Sequence, residues 1–190
     1  SIFFSDITGF TSIAETLSSR ELFEQLSTYF DVVVAQIRRH QGTLDKYIGD
    51  AVMSFWNAPA DDPNHAMNCA LAAIDAQTAL DALNQRWVAE GKVPLPTRIG
   101  LNTGDVYVGN VGAPDRLNYT ALGDGVNLAA RLESANRFYG TRILATEALI
   151  SEIDQTVIAT QPIDVIAVKG RASGVRVYEI LGRTADLSAA

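Results

Sequence analysis

The sequence predicts an α+β domain with a mixed or mostly antiparallel sheet. Short β-prone apolar runs and helical patterns follow one another in the order strand, helix, strand, strand, helix, strand and more. The long helical patterns carry start and stop signals of their own, and tight turns containing Gly and Asp separate paired strands. All of this fits in 190 residues, with no internal repeat, low-complexity tract or long linker, so one domain is expected.

Ser1-Ile2-Phe3-Phe4-Ser5 is apolar and β-prone from its first residue, so the chain is expected to be a piece of a longer protein. Asp6 to Thr11 reads as a turn. Ser18 and Glu21 have capping-box spacing, and Leu22, Leu26, Tyr29, Phe30, Val33 and Ile37 follow at helical intervals to a stop at Gly42. Thr43 to Trp56 reads as two strands joined at Ile48-Gly49-Asp50. Asp62-Pro63 predicts a helix start with Asp as N-cap, continuing through an alanine-rich run to about Ala89 before Gly91, Pro94 and Pro96. Arg98 to Gly112 reads as two strands turning at Thr103-Gly104-Asp105, Ala113 to Arg116 as a loop, and Asn118 to Leu122 as a strand. Gly123-Asp124-Gly125 opens a helix bearing Val126, Leu128, Ala129, Leu132 and Ala135. Ile143 to Ala145 is a strand, Glu147 to Ile153 a short helix, and Val157 to Val168 and Val175 to Leu181 are late strands.

Composition narrows the function classes. Hydrophobic residues make up 47% and charged residues 19%, as in an ordinary globular domain, and a chain of this length buries about 70% of its unfolded surface. Lys and Arg number 15 against 22 Asp and Glu, a net charge of −7, which argues against a nucleic-acid binder. The single cysteine, Cys69, excludes an internal disulfide and points to a reducing compartment. No apolar run is long enough to span a bilayer, and no signal peptide is visible. The expected location is cytoplasmic, with a parent protein free to carry a membrane anchor.

Several polar residues stand where packing does not require them. Asp6 and Asp50 each end or turn a predicted apolar strand. If those strands are neighbours, the two carboxylates converge into hard oxygen ligands of the kind Mg²⁺ takes beside phosphate; alternatively, both are turn aspartates. Ile7 to Thr11 could cradle phosphates with backbone N–H groups, but it is not a Walker A loop. Lys46 lies four residues before Asp50 and is either a ligand contact or a solvated side chain. Asn127 and Arg131 share one helical face, able to hold a ribose and a phosphate or simply to face water. His40 and His65 read as surface or capping residues and Cys69 as a small buried one. No nucleophile triad or zinc spacing is present.

Four blocks together closely resemble the class III adenylyl/guanylyl cyclase catalytic domain: Phe3 to Thr11, Lys46 to Ala51, Gly100 to Gly104, and Asn118 to Glu133. They run in the family's order across nearly the whole chain. The resemblance implies a ferredoxin-like βαββαβ core with extra strands, spanning residues 1–183, with a tail over 184–190. It implies that Asp6 and Asp50, with the Ile7 carbonyl, hold two Mg²⁺ (or Mn²⁺) ions per site, and that Thr8, Gly9, Phe10 and Thr11 line the triphosphate. It assigns Lys46 and Thr120 to the purine, Asn127 to the ribose and Arg131 to transition-state charge. Lysine with threonine is the class IIIb-like pairing that goes with ATP. Lysine can donate to adenine N1 and threonine accept from the adenine amino group, whereas guanine would set its N1–H against the lysine.

The implied reaction is in-line attack of the ribose 3′-oxygen on the α-phosphorus, giving cyclic AMP and pyrophosphate for intracellular signalling. The implied assembly is a head-to-tail homodimer with its sites at the interface. Asp105 departs from the family pattern, since many members carry a phosphate-binding arginine there; Lys169, with Arg171 beside it, is the candidate replacement. Regulatory domains of the same parent chain are expected. A bicarbonate or CO₂ response goes with some class IIIb relatives, although no residue here demonstrates such a site. Guanylyl cyclase, disfavoured by Lys46, and an inactive nucleotide-binding or dimerisation module are the alternatives. The Gly-Gly-Asp/Glu-Glu-Phe motif of diguanylate cyclases is absent.

Overall fold

The computed structural model describes residues 1–167 and 174–187. In chain order the elements are β1 (Ile2–Ile7), α1 (Phe10–Thr16), α2 (Ser19–Arg39), β2 (Thr43–Ile48), β3 (Ala51–Phe55), α3 (His65–Ala89), β4 (Thr97–Asn102), β5 (Tyr107–Ala113), β6 (Arg116–Leu122), α4 (Asp124–Tyr139), β7 (Ile143–Thr146), α5 (Glu147–Ile150), β8 (Ile158–Ile166), β9 (Val175–Arg183) and α6 (Thr184–Leu187). Seven strands form one sheet in the order β2-β3-β1-β4-β7-β9-β8, and β5 and β6 form a separate ribbon. Among the described residues, only the β4–β7 pair is parallel. The β2-β3-β1-β4 half, crossed by α2 and α3, is the ferredoxin-like core that the resemblance implies, and β7, β9 and β8 extend it.

Alternation along the strands divides the core between the two faces of the sheet. Phe3 and Ile7 of β1 and Val52 of β3 pack with Tyr29, Val33 and Ile37 of α2 and with the alanine-rich side of α3. Ile2, Met53 and Phe55 point the other way, toward Ala121 and Ala129. Each fully buried large side chain contributes about 1.5–3 kcal/mol relative to exposure. Helix α2 begins with the expected capping box, in which the Ser18 hydroxyl accepts from the Glu21 N–H and the Glu21 carboxylate accepts from the Ser18 N–H.

Helix α4 lies on the second face, across β1, β4 and β7. The crossing is close because residue 100 has no side chain: a Cβ on Gly100 would stand 2.2 Å from both the Ala129 carbonyl oxygen and the Glu133 nitrogen. This contact fixes the height of α4, and of everything it carries, above the sheet.

Three boundaries differ from the expectation. Helix α3 starts at His65 rather than Pro63, because Asp62 uses its carboxylate in a local turn, accepting from the Asn64 N–H at 2.9 Å and the Asn68 amide at 2.9 Å. The left-handed residue after α2 is Gln41, not Gly42. The stretch from Ala113 to Arg116 is the tip of a hairpin whose strands reach those two residues. The expected C-terminal tail opens with the short helix α6. Among the described residues, no helix is long and apolar enough to cross a membrane.

Candidate active site

The sequence-predicted residues form three groups. The first is the pair Asp6 and Asp50. Strand β1 lies between β3 and β4, so Asp6 near its end meets the β2–β3 turn. Gly49 makes that turn in the left-handed region (φ +63°) and presents Asp50. Asp50 Oδ2 accepts from the Ile7 N–H at 3.1 Å, and the two carboxyls lie within hydrogen-bonding reach of each other. Asp6 is pushed up to about 7, first by burial, then by its hydrogen bond to Asp50 and the charges of Asp50 and Glu133, with Arg98 opposing. A cavity of about 230 Å³ opens over the pair, lined by Asp6, Ile7, Gly9, Phe10, Thr11, Ser12, Asp50 and Arg98. Thr8 is not in this wall, and its N–H donates to the Pro96 carbonyl at 2.7 Å.

The second group joins Lys46 and Thr120 across 74 residues of sequence. Lys46 Nζ donates to Thr120 Oγ1 at 2.9 Å. A bulge in β2 between Leu44 and Lys46 brings Asp45 into the same cluster. Asp45 Oδ2 accepts from the Thr120 hydroxyl at 2.6 Å and from the Ala121 N–H at 3.1 Å. Its Oδ1 lies 3.2 Å from Lys46 Nζ. The Asp45 side chain is 0% exposed and that of Lys46 is 38% exposed, so of the two only Lys46 reaches solvent.

The third group is Asn127 and Arg131, one turn apart on the outer face of α4. They line an open cavity of about 590 Å³ with Ala130, Ser134, Ala135 and Phe138. This cavity shares no residue with the one over Asp6 and Asp50, so the two groups stand apart within one chain. Lys169 and Arg171 lie outside the described residues. Asp105 is exposed in the β4–β5 connection and lines a different recess, with Thr103, Gly104 and Val106.

Reasoning from sequence missed Asp45, Arg98 and Glu133. The Arg98 guanidinium Nε donates to Glu133 Oε1 at 3.1 Å and stands 4.0 Å from Asp6. Burial holds Glu133 above the ordinary glutamate range, against its bond from Ser134 and the charge of Arg98. Arg98 was legible only as the residue in register with Asp6. Both histidines are partnered within the fold: His40 bonds Asp75 at 2.7 Å and His65 bonds Ser1 at 2.8 Å. Cys69 is buried, which pushes its thiol up to about 12.

The fold and this arrangement define a nucleotidyl cyclase catalytic domain. The family model for the adenylate and guanylate cyclase catalytic domain matches residues 1–182, and the chain belongs to that family. It is 39% identical to adenylate cyclase 1 of Rhizobium meliloti over 94% of its own length, and 38% identical to an adenylate cyclase of Anabaena cylindrica over 94%. It spans 27% and 36% of those two proteins. Among solved structures, it superposes on the adenylyl cyclase CyaB from P. aeruginosa with a TM-score of 0.85 at 36% identity, covering 95% of this chain and 92% of that one. It also superposes on the guanylyl cyclase Cya2 with a TM-score of 0.84 at 31% identity, covering 96% and 91%.

Proposed function

We propose that this domain is an adenylyl cyclase that converts ATP to 3′,5′-cyclic AMP and pyrophosphate, active as a homodimer. The fold does not choose the base, since it matches named adenylyl and guanylyl cyclases almost equally well. The observation that carries the choice is the 2.9 Å contact between Lys46 and Thr120. Together they offer a donor and an acceptor to the Watson–Crick edge of a purine. Adenine answers with its N1 acceptor and its N6 amino donor.

The rest of the site supports the same reading. Asp6 and Asp50 fit Mg²⁺: they are hard oxygen donors brought to one cavity, where burial and the neighbouring Asp50 push Asp6 up, and a dication would neutralise such a pair. Among the described residues no third His, Cys, Asp or Glu joins them as a metal cluster. Phosphate oxygens, water and the Ile7 carbonyl would complete the shell. When bound, two such ions supply the charge that activates the 3′-oxygen and stabilises departing pyrophosphate. Gly9, Phe10 and Thr11 would line the triphosphate beside the pair, with Thr8 contributing through its side chain because its N–H is taken. Asn127 would orient the ribose, and Arg131 would meet charge developing at the α-phosphorus. Lys169 remains the proposed phosphate contact from the late stretch.

The separated half-sites support a head-to-tail homodimer in which Asp6 and Asp50 of one subunit face Asn127 and Arg131 of the other. Phe138, beside Arg131, is 84% exposed and Tyr107 of the β5–β6 ribbon 87%, large apolar groups that a second copy would cover. The test is a product assay with Mg²⁺ or Mn²⁺ and either ATP or GTP over a protein concentration series. Cyclic AMP whose specific activity rises with concentration, and which is lost in Asp6→Ala, is expected. Cyclic GMP as the main product would overturn the base assignment; no cyclic product from either nucleotide would favour an inactive binding module.

A further inference from the structure

We infer that Asp45 is a positioning residue that sets the hydrogen-bond polarity of the base-reading pair and so excludes guanine. The inference rests on the adenylyl cyclase reading and deepens it.

A threonine hydroxyl has one proton and two lone pairs, and a free hydroxyl rotates to suit its partner. Left alone, Thr120 would accept from an adenine amino group or donate to a guanine carbonyl with equal ease. Asp45 removes that freedom. Its Oδ2 receives the Thr120 proton at 2.6 Å, a distance typical of a hydroxyl bound to a carboxylate. The other acceptor within reach, the Ala121 carbonyl at 3.5 Å, is far weaker. The carboxylate is itself anchored by the Ala121 N–H at 3.1 Å and shut away from water. With one lone pair facing Lys46, Thr120 has one lone pair left and can only accept.

The same carboxylate limits Lys46. The ammonium donates one of its three protons to Thr120 Oγ1 and is held 3.2 Å from Asp45 Oδ1 as an ion pair, so its position is set and it can still donate. The cluster therefore presents a donor and an acceptor in fixed positions. Adenine, in the pose that puts N1 on Lys46 and its amino group on Thr120, satisfies both. Guanine in that pose sets N1–H against the ammonium and O6 against the Thr120 lone pair. A freely rotating hydroxyl would relieve the second conflict by donating to O6, and Asp45 prevents this. Discrimination then comes from an unmatched polar contact in the wrong complex as well as a matched one in the right complex.

The test compares kcat/KM for ATP and for GTP in the intact domain. Asp45→Ala removes the acceptor and leaves the Thr120 hydroxyl free to turn its proton toward the base. The ATP-over-GTP ratio should fall about tenfold or more, mostly through the GTP arm. In a Thr120→Val background, the same Asp45→Ala change should move the ratio by less than about twofold, because the group it acts through is gone. Asp45→Ser, whose side chain is too short to hold the Thr120 proton, should show the same fall if the alanine variant does not fold, which a thermal melt would reveal. A wild type selective for ATP whose Asp45→Ala and Asp45→Ser forms keep the ratio would overturn the inference alone. So would an equal fall in the Thr120→Val background, since Asp45 would then act by another route. A wild type without ATP preference would remove the base reading and this inference with it.

Discussion

The two polar clusters of this domain are built on opposite terms. Around Asp45, Lys46 and Thr120, a buried negative charge meets a cation, a hydroxyl and an amide of the same chain. At Asp6 and Asp50 two carboxyls lie side by side, and among the described residues the cation beside them, Arg98, stands 4.0 Å from Asp6 and is bonded to Glu133. The Asp45 cluster balances its charge within the chain, whereas the carboxylate pair is left short of positive charge. On the proposed function, the difference would separate recognition, which gains from rigidity, from catalysis, which would wait for a cation and a nucleotide.

Substitutions should expose the contrast with opposite signs. The largest effect expected is loss of cyclic product by at least about a thousandfold in Asp50→Ala, measured as turnover at saturating nucleotide and metal, with the chain still folded. Next, Lys46→Met should destabilise the domain by about 1–3 kcal/mol in urea unfolding, because it leaves the Asp45 carboxylate buried without its cation. Asp50→Asn should do the reverse in metal-free protein and raise the melting temperature by roughly 2–4 °C, the shift that about 1 kcal/mol makes in a chain of this size. If both variants lose stability equally, the two clusters are not built on opposite terms.

The smallest effect is a pH slope. Asp6 keeps its proton in the folded, metal-free chain up to about 7, whereas the unfolded chain has released it near the ordinary aspartate value. The folded state therefore binds more protons between those values. Stability from this group is full below the unfolded value and is lost as pH rises through about 7. Thermal melts of metal-free protein should decline across that window, and Asp6→Asn should flatten the decline. A wild type with no decline would contradict the strain assigned to the pair.

Much of this was legible in the sequence, for local reasons. Capping-box spacing at Ser18 and Glu21 and the apolar intervals behind it are short-range signals, and α2 starts where they place it. The meeting of Asp6 with Asp50 followed from one assumption, that the first strand and the hairpin are neighbours. The failures come from interactions that local patterns cannot report. Asp62 carries an N-cap signature but is occupied by Asn57, Asn64 and Asn68, so the helix starts later. Asp45 was invisible because strict alternation sends neighbours on a strand to opposite faces; only the bulge turns it to the side of Lys46. Arg98 gains meaning from a strand pairing and Glu133 from a helix crossing.

That crossing at Gly100 has a consequence for how such a site could be mistuned. At this one position the backbone of helix α4 rests against the strand with no side chain of residue 100 between them. A single methyl there would act as a shim, tilting or lifting the helix that bears Asn127 and Arg131 while leaving every ligand, charge and hydrogen-bonding group in the protein. The chemistry would be intact and the alignment wrong, and alignment errors of about 1 Å are enough to slow a reaction about a hundredfold. The dimensions of the site are thus set partly at a position that contributes no functional group.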